Sequence, residues 1–335
     1  MADQNPILSV CIPTFNRAKM LEEALNAVIV QIVDNSLELM VEINISDNAS
    51  SDNTQEIVNA VQNIHPQLKI YTHKQRENIG PDGNIYSSLK MAHGTWAWIL
   101  SDDDIIIPGT LIKLINLLKE SAENTVICVN ARSFNQSPLE ITPLFLQNND
   151  GVIDSPDGVM LHLNSMITFL SIMVIPVCSY ISNDYSAYVG TFLLQSYIFI
   201  DAISATGGMR TISEPFLAVR ANNSGGYDFY KIFGTEYANI LKYAALHGYS
   251  QQIVQNVMRI HLRKFIFPFT CSFKVRGSLG KLKPDFGDGR RRLMELYRND
   301  PFFWLVMLPL LLTPSSLLMP IAALKRKLSK SGSRT

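Results

Sequence analysis

The alternation of strand-like and helix-like segments over the first 130 residues constrains the fold more than any other feature. Residues 7–12 form a short apolar run that ends at Pro13. Residues 17–33 place Met20, Leu21, Ala24, Leu25 and Val28 at helical spacing. A second strand is expected over 39–45 and a helix over 54–64, with Ile57, Val58, Val61 and Ile64 on one side. The series continues with a strand over 68–72, a helix over 81–93 stopped by Gly94, and a strand over 96–100. It closes with a helix over 108–120, begun at Pro108, and a strand over 126–129. This pattern predicts an α/β layer fold with a mainly parallel sheet flanked by helices. Asp3 and Asn5 precede a strand and not an apolar run, so no signal peptide is expected.

The remainder is less regular. Residues 135–156 are polar and read as a loop. Residues 158–183 carry no formal charge, a length that would suffice for a membrane span. His162, Asn164, Ser165, Pro176 and Ser179 interrupt it, so a buried helix followed by a core strand over 166–175 is the better reading. A helix over 190–205 and a last strand over 211–220 follow. Residues 231–246 and 251–267 have helical periodicity; a basic, Gly-rich stretch over 274–283 and the triplet Arg290, Arg291, Arg292 come next. Residues 301–324 are uncharged and end at Lys325, Arg326 and Lys327. The expected organisation is a domain over 1–225, with halves at 1–130 and 131–225, then a helical basic region over 226–300 and an apolar segment with a basic tail over 301–335.

Charge separates these parts. The 335 residues contain 29 Lys+Arg and 29 Asp+Glu. Residues 1–258 hold 13 basic and 25 acidic residues, whereas 259–335 hold 16 and 4. The balance excludes a uniformly basic nucleic-acid binder, so no nucleic-acid partner is expected. The basic end suits an anionic membrane surface. The apolar segment is long enough to span a bilayer, but Pro309, Pro314 and Pro320 oppose one straight helix. A span, a re-entrant or interfacial helical pair, and a buried helix therefore compete. Basic flanks on both sides keep both ends on the cytoplasmic side and favour the interfacial or re-entrant form. Cys11, Cys128, Cys178 and Cys271 lie far apart, which suggests neither a disulfide framework nor a zinc site.

The chemistry concentrates in three turns. Asp102, Asp103 and Asp104 follow an apolar strand directly, at the sheet edge where open α/β folds bind ligands. Adjacent carboxylates repel one another unless a cation neutralises them, and their oxygens suit Mg²⁺ or Mn²⁺ shared with substrate phosphates. A solvated helix start is the bland alternative for three Asp alone. In a parallel sheet, the turn from Pro13 to Arg17 and the turn from Ser46 to Thr54 emerge on the same edge. Phe15 can stack on a nucleobase, and Asp47 can accept a hydrogen bond from one. Together the three turns make a nucleotide site with an acidic metal clamp.

On these segments the chain resembles the family 2 glycosyltransferases, which have the GT-A fold. The resemblance rests on LSVCIPTFNR (8–17), INISDNASSDNT (43–54), NIGPDGNIYSSLKMAHG (78–94) and WAWILSDDDIIIP (96–108). Within the family it is most similar to the abequosyltransferase-like enzymes of O-antigen synthesis. The resemblance implies a base pocket lined by Pro13, Thr14 and Phe15, a hydrogen bond from the base to Asp47, and a wall shaped by Asn78, Gly80 and Asn84. It places Asp102 near the ribose or diphosphate, Asp103 on the metal, with Asp104 as second candidate, and Arg220 within reach of the diphosphate. A surface ion pair is an equal reading of Arg220. Residues 1–130 would then form the nucleotide-binding half and 131–225 the acceptor half.

Two departures from the family pattern matter. Ser101 stands where many members have the first Asp of the metal motif. Gln195 and Ser196 stand where many have a Glu-Asp pair supplying the base; Asp184 is the preferred substitute, and Asp201 is expected to be structural. The stereochemical outcome stays open. The expected activity is metal-dependent transfer of a hexosyl or deoxyhexosyl group from a nucleotide-sugar to a saccharide or lipid-linked saccharide. The expected place is the cytoplasmic face of the inner (plasma) membrane, in cell-surface polysaccharide synthesis. Two alternatives are a nucleotidyltransferase on a similar sheet, which would show a Gly-rich basic phosphate loop absent from the first turn, and a non-catalytic nucleotide-binding membrane scaffold.

Overall fold

Strands β1 (Leu8–Thr14) and β2 (Val41–Asp47) are buried along nearly their whole length. Burial on both faces explains why they read as apolar runs and not as alternating strands. In this computed structural model, which describes residues 5–140, 142–147, 150–221, 226–278, 282 and 284–317, they lie side by side in one sheet. Around them lie α1 (Ala18–Asp34), α2 (Thr54–Ile64), β3 (Lys69–Lys74), α3 (Gly80–Lys90), β4 (Trp96–Ile99), β5 (Ile105–Ile106), α4 (Thr110–Glu120) and β6 (Ile127–Phe134). Then come β7 (Gly151–Ile153), α5 (Pro156–Leu163), β8 (Met173–Pro176), α6 (Leu194–Thr206) and β9 (Met209–Arg220).

The strand order is β3-β2-β1-β4-β8-β6-β9-β5, with β7 also paired to β9. The expected mainly parallel sheet is in fact mixed. Pairings β1/β2, β1/β4, β2/β3 and β6/β9 are parallel, whereas β4/β8, β6/β8, β5/β9 and β7/β9 are antiparallel. The physical reason is β8. It enters against the common direction between β4 and β6, so it converts two neighbouring pairings at once. β5 and β7 are too short to register as sequence patterns, and β7 lies in the stretch expected to be a loop.

Buried polar contacts fix α3 against the sheet. Glu42 is 1% exposed; its Oε1 accepts from the Ser9 hydroxyl at 2.6 Å and the His93 N–H at 2.8 Å. The Ser9 hydroxyl in turn accepts from the Gly94 N–H at 2.9 Å. A Cβ on Gly94 would lie 2.8 Å from that hydroxyl and 2.9 Å from the Ser9 nitrogen, so the approach requires glycine. The turn into β4 is thereby pinned, and Trp96 starts in register with Leu8. From the same helix, the buried Asp82 carboxylate accepts from the backbone N–H groups of Gly190 at 2.8 Å, Phe192 at 2.7 Å and Leu194 at 3.3 Å. It holds the entry to α6.

Residues 158–183 hold most of α5, a 3₁₀ turn and the buried β8; the expected helix and core strand are present, but the strand occupies Met173–Pro176 and not 166–175, whose first residues belong to the 3₁₀ turn. No helix among the described residues is long and apolar enough to cross a membrane.

The chain divides into two compact units, the first running to Ala221 and including His247–Tyr249. The second contains α7 (Tyr237–Leu246), α8 (Gln251–His261), α9 (Phe267–Arg276), α10 (Phe286–Tyr297) and α11 (Leu308–Leu312). π-Helical turns interrupt it at Lys231–Glu236, Leu262–Ile266 and Phe303–Met307. Its core is aromatic, with Phe229, Tyr230, Phe273, Tyr297 and Phe303 all buried. Phe303, Met307 and Leu311 point into this core, while Trp304, Leu305, Leu312 and Leu317 of the same stretch are exposed. Residues 318–335, with the end of the apolar segment and the Lys325–Lys327 cluster, lie outside the described residues.

Asp82→Ala removes one acceptor from three backbone donors. We expect it to lower stability by about 2–4 kcal/mol, from buried donors left unpaired, read as a lower urea midpoint by circular dichroism. A change below about 0.5 kcal/mol would show that the entry to α6 is held by other contacts.

Candidate active site at the carboxyl edge of the sheet

The turns after β1 and β2 are held in demanding conformations. Asn16 has φ +52° and Ala49 φ +61°, the left-handed region that ordinary side chains avoid. Cross-bonds hold them there. The Asn16 N–H donates to the Ser50 hydroxyl at 2.8 Å, the Ser51 N–H donates to Asn16 Oδ1 at 2.8 Å, and the Asn48 N–H donates to the Thr14 carbonyl at 3.0 Å.

Beside these turns is a cleft of about 280 Å³ whose lining includes Pro13, Thr14, Phe15, Arg17, Asn48, Asn78, Asn84, Ser101 and Asp102. Phe15 is 39% exposed, an unusual state for an aromatic ring that a core does not claim. Asn84 reaches from α3 to both β1 and β2. Its Nδ2 donates to the carbonyls of Thr14 at 3.1 Å and Ser46 at 2.9 Å, and its Oδ1 accepts from the Ser46 hydroxyl at 2.7 Å. Asn48 Nδ2 donates to Asn78 Oδ1 at 3.0 Å and to the Gly80 carbonyl at 3.1 Å, so it ties the second turn to the start of α3. Gly80 itself has φ +78°. Asp47 is buried at the end of β2. Its Oδ1 accepts from the Ser50 N–H at 2.9 Å; its Oδ2 has no hydrogen-bond donor among the described residues, and Lys74 Nζ stands 3.8 Å away.

The acidic turn divides its three carboxylates among different partners. Asp102 Oδ2 accepts from the Thr14 hydroxyl at 2.7 Å, and Oδ1 pairs with Arg17 Nη1 at 2.9 Å. Asp103 accepts from the Ser101 hydroxyl and lies 3.8 Å from the same Arg17 nitrogen. Asp104 is turned inward, where it accepts from the Ser171 hydroxyl at 2.7 Å and from the backbone of Arg220. Ser171 also accepts from the Ser101 N–H at 3.0 Å. Among the described residues no three Asp, Glu, His or Cys side chains converge on one point. The donor set therefore does not fit an all-protein metal cage. It does fit an ion that takes one or two carboxylate ligands and shares the rest with substrate phosphates, the usual arrangement for Mg²⁺.

Other sequence candidates lie apart from the cleft lining. The Arg220 guanidinium pairs with Glu23 and sits 4.8 Å from the Phe134 ring, the ion-pair reading. Asp184 is exposed and accepts from the N–H and hydroxyl of Ser186, which hold its carboxyl below the usual range. Gln195 and Ser196 are buried at the start of α6 and donate to the carbonyls of Thr168 and Ile167. Asp201 accepts from the Tyr185 hydroxyl at 2.8 Å, as expected of a structural group. Sequence reasoning did not assign site roles to Arg17, Asn48 or Ser171. Arg17 and Asn48 were legible as polar members of the two turns; Ser171 carried no signal.

Residues 9–164 match the model of glycosyl transferase family 2. Abequosyltransferase RfbV of Salmonella typhimurium is 29% identical over 229 residues, 65% of this chain and 67% of RfbV. GalNAc(5)-diNAcBac-PP-undecaprenol beta-1,3-glucosyltransferase of Campylobacter jejuni is 34% identical over 115 residues, 34% of this chain and 35% of that protein. Among solved structures, S. aureus TarS 1-349 in complex with UDP has a TM-score of 0.63 at 16% identity, covering 93% of this chain and 87% of that one. Mannosyltransferase PcManGT from Pyrobaculum calidifontis, in complex with GDP-Man and Mn²⁺, has a TM-score of 0.51 at 14% identity, covering 94% and 87%. At such identities the solved structures show the fold, which is GT-A-like.

Burial pushes the Asp102 carboxyl up to about 6; Arg17 opposes the shift and Asp103 adds to it. Burial and then Asp103 raise Asp104 well above the usual carboxylate range. A carboxyl that titrates higher when folded binds more protons in the folded state. Its stabilising effect is full at low pH and is lost as pH rises through the folded value. In metal-free buffer, the stability of wild type relative to Asp102→Asn should fall between about pH 4 and about pH 7. Urea midpoints across that range check it; a difference that is flat or rises contradicts the burial of a charged Asp102.

Proposed function

We propose that this glycosyltransferase, whose residues 9–164 match the family 2 model, moves a hexosyl or deoxyhexosyl group from a nucleoside diphosphate sugar to a saccharide or lipid-linked saccharide in cell-surface polysaccharide synthesis. One observation carries this reading: Thr14, Phe15, Asn48, Asn78, Ser101 and Asp102, from separate turns, line a single cleft. Phe15 offers a face for the base. Asp47 Oδ2, buried with no donor among the described residues, accepts an N–H of that base, and Asn78, Gly80 and Asn84 shape the wall. Asp102 orients the ribose or diphosphate. The TarS complexes with UDP and UDP-GlcNAc and the PcManGT complex with GDP-Man support a nucleotide-sugar donor. The undecaprenol-linked saccharide in the name of the Campylobacter relative supports a lipid-linked acceptor.

Asp103 is assigned to a divalent ion, Mg²⁺ or Mn²⁺, with Asp104 as the second candidate, the latter committed to Ser171. When bound, the ion supplies Lewis-acid stabilisation of the departing diphosphate. Acceptor activation is assigned to Asp184. Its two hydrogen bonds from Ser186 favour the ionised form, so it stays unprotonated at neutral pH and is a modest base. Asp103→Asn should lower metal-dependent donor turnover about 100- to 1,000-fold, the scale of one lost electrostatic stabiliser, with unchanged circular dichroism. Full turnover in that variant with chelator present would overturn the assignment.

The exposed Trp304, Leu305, Leu312 and Leu317, in an uncharged segment of the basic region 259–335, support attachment to an anionic membrane surface, at the cytoplasmic face of the inner membrane. Because Phe303, Met307 and Leu311 are core residues, the test replaces the exposed face and leaves the buried one. The variant Trp304→Ser, Leu305→Gln, Leu312→Gln should lose cosedimentation with vesicles containing 30% anionic lipid (roughly a cytoplasmic-leaflet charge). Undiminished cosedimentation would rule this surface out.

A further inference from the structure

We infer that Arg17 occupies the metal position electrostatically in the donor-free protein and moves to the donor diphosphate on binding, so that donor entry is what opens Asp103 to the metal. The inference rests on the nucleotide-sugar reading above.

Arg17 stands at the start of α1, one residue after the left-handed Asn16. Its Nη1 lies 2.9 Å from Asp102 Oδ1 and 3.8 Å from Asp103 Oδ2. One guanidinium nitrogen thus sets a positive charge beside both carboxylates, including the Asp103 that would hold the ion. Asp102, Asp103 and Asp104 together hold the Arg17 charge in place against its burial. A divalent ion on Asp103 would meet this fixed positive charge at close range, and like charges repel strongly where water is scarce. In the donor-free state Arg17 therefore competes with the metal.

The same side chain is a third exposed and lines the cleft. Among the described residues lining it, Arg17 is the one cation. The turn has no Gly-rich phosphate loop, so a diphosphate entering here finds Arg17 as its cationic partner in the chain. A guanidinium fork matches phosphate oxygens in two-point geometry and rests on a long flexible stem. Transfer of Arg17 from carboxylate to diphosphate removes the repulsion and leaves Asp103 to share the ion with that diphosphate. Donor and metal then strengthen each other's binding by the same factor, as linkage requires.

The experiment measures Mn²⁺ binding by the free-ion electron paramagnetic resonance signal, with no nucleotide present, for wild type, Arg17→Met and Arg17→Lys. Arg17→Met should bind Mn²⁺ at least about tenfold more tightly than wild type, and Arg17→Lys, which keeps the charge, should resemble wild type. Binding of UDP, GDP, CDP and dTDP is measured in parallel by thermal shift with Mn²⁺. The nucleotide that stabilises wild type should bind both variants at least about tenfold more weakly, because both lack the fork. Folded Arg17→Met with unchanged or weaker Mn²⁺ affinity overturns the inference, as does either folded variant binding that nucleotide as well as wild type. If wild type binds none of the four diphosphates, the nucleotide-sugar reading falls and the inference falls with it. Wild type that binds one of them while both variants bind it, and Mn²⁺, as wild type does refutes the role of Arg17 alone.

Discussion

Three consecutive carboxylates, each nearly sealed from water, dominate the rim of the sheet. Asp102, Asp103 and Asp104 are 3%, 7% and 3% exposed, and unpaired charge at such burial is strongly unfavourable. The surrounding structure divides the cost. The end of β1 and the turn after it supply Thr14 and Arg17 to Asp102; Ser101, just past β4, serves Asp103; Ser171, two residues before β8, serves Asp104, and the end of β9 adds a backbone N–H. Four separate chain segments therefore meet at one turn, and the cleft takes its shape from that meeting.

Much of this was legible in sequence because it depends on local pattern. Apolar runs ending in Pro13, Asp47 and Ser101 announce buried strands, and the polar turns after them fall on one edge if those strands are parallel. They are, so Thr14, Phe15, Asn78, Asn84 and Asp102 come together. What stayed hidden depends on pairing across long distances. β8 is four residues long and nothing near it says that it runs antiparallel between β4 and β6. The partner of Arg220 is Glu23, 197 positions away, and no periodicity predicts such a contact. The Arg17 side chain was visible as a cation in the right turn, but its position between two carboxylates is a fact of three dimensions only.

The charge separation along the sequence takes a different meaning once side chains are placed. The acidic first unit spends its most concentrated charge internally, at the rim. In the second unit, residues 301–317 are amphipathic without being polar: one side enters an aromatic core and the opposite side keeps Trp304, Leu305 and Leu312 in contact with water. An apolar helix with an uncovered apolar side implies something to cover it. Apolarity alone could not distinguish core from interface along this stretch, since both sides use the same residue types.

The insertion of β8 also bears on how the molecule is assembled. Through Ser171, the segment entering β8 completes the acidic turn; through Trp98, whose indole N–H donates to the Ser171 carbonyl at 2.7 Å, it also closes the open side of β4. A chain that had folded only its first 130 residues would present β4 as a bare edge and leave Asp104 without the Ser171 hydroxyl. Residues 1–130 are therefore completed by a strand that pairs with β4 across more than 70 positions of sequence, a long-range closure of the kind that slows folding and that ties the two halves of the domain to a common fate.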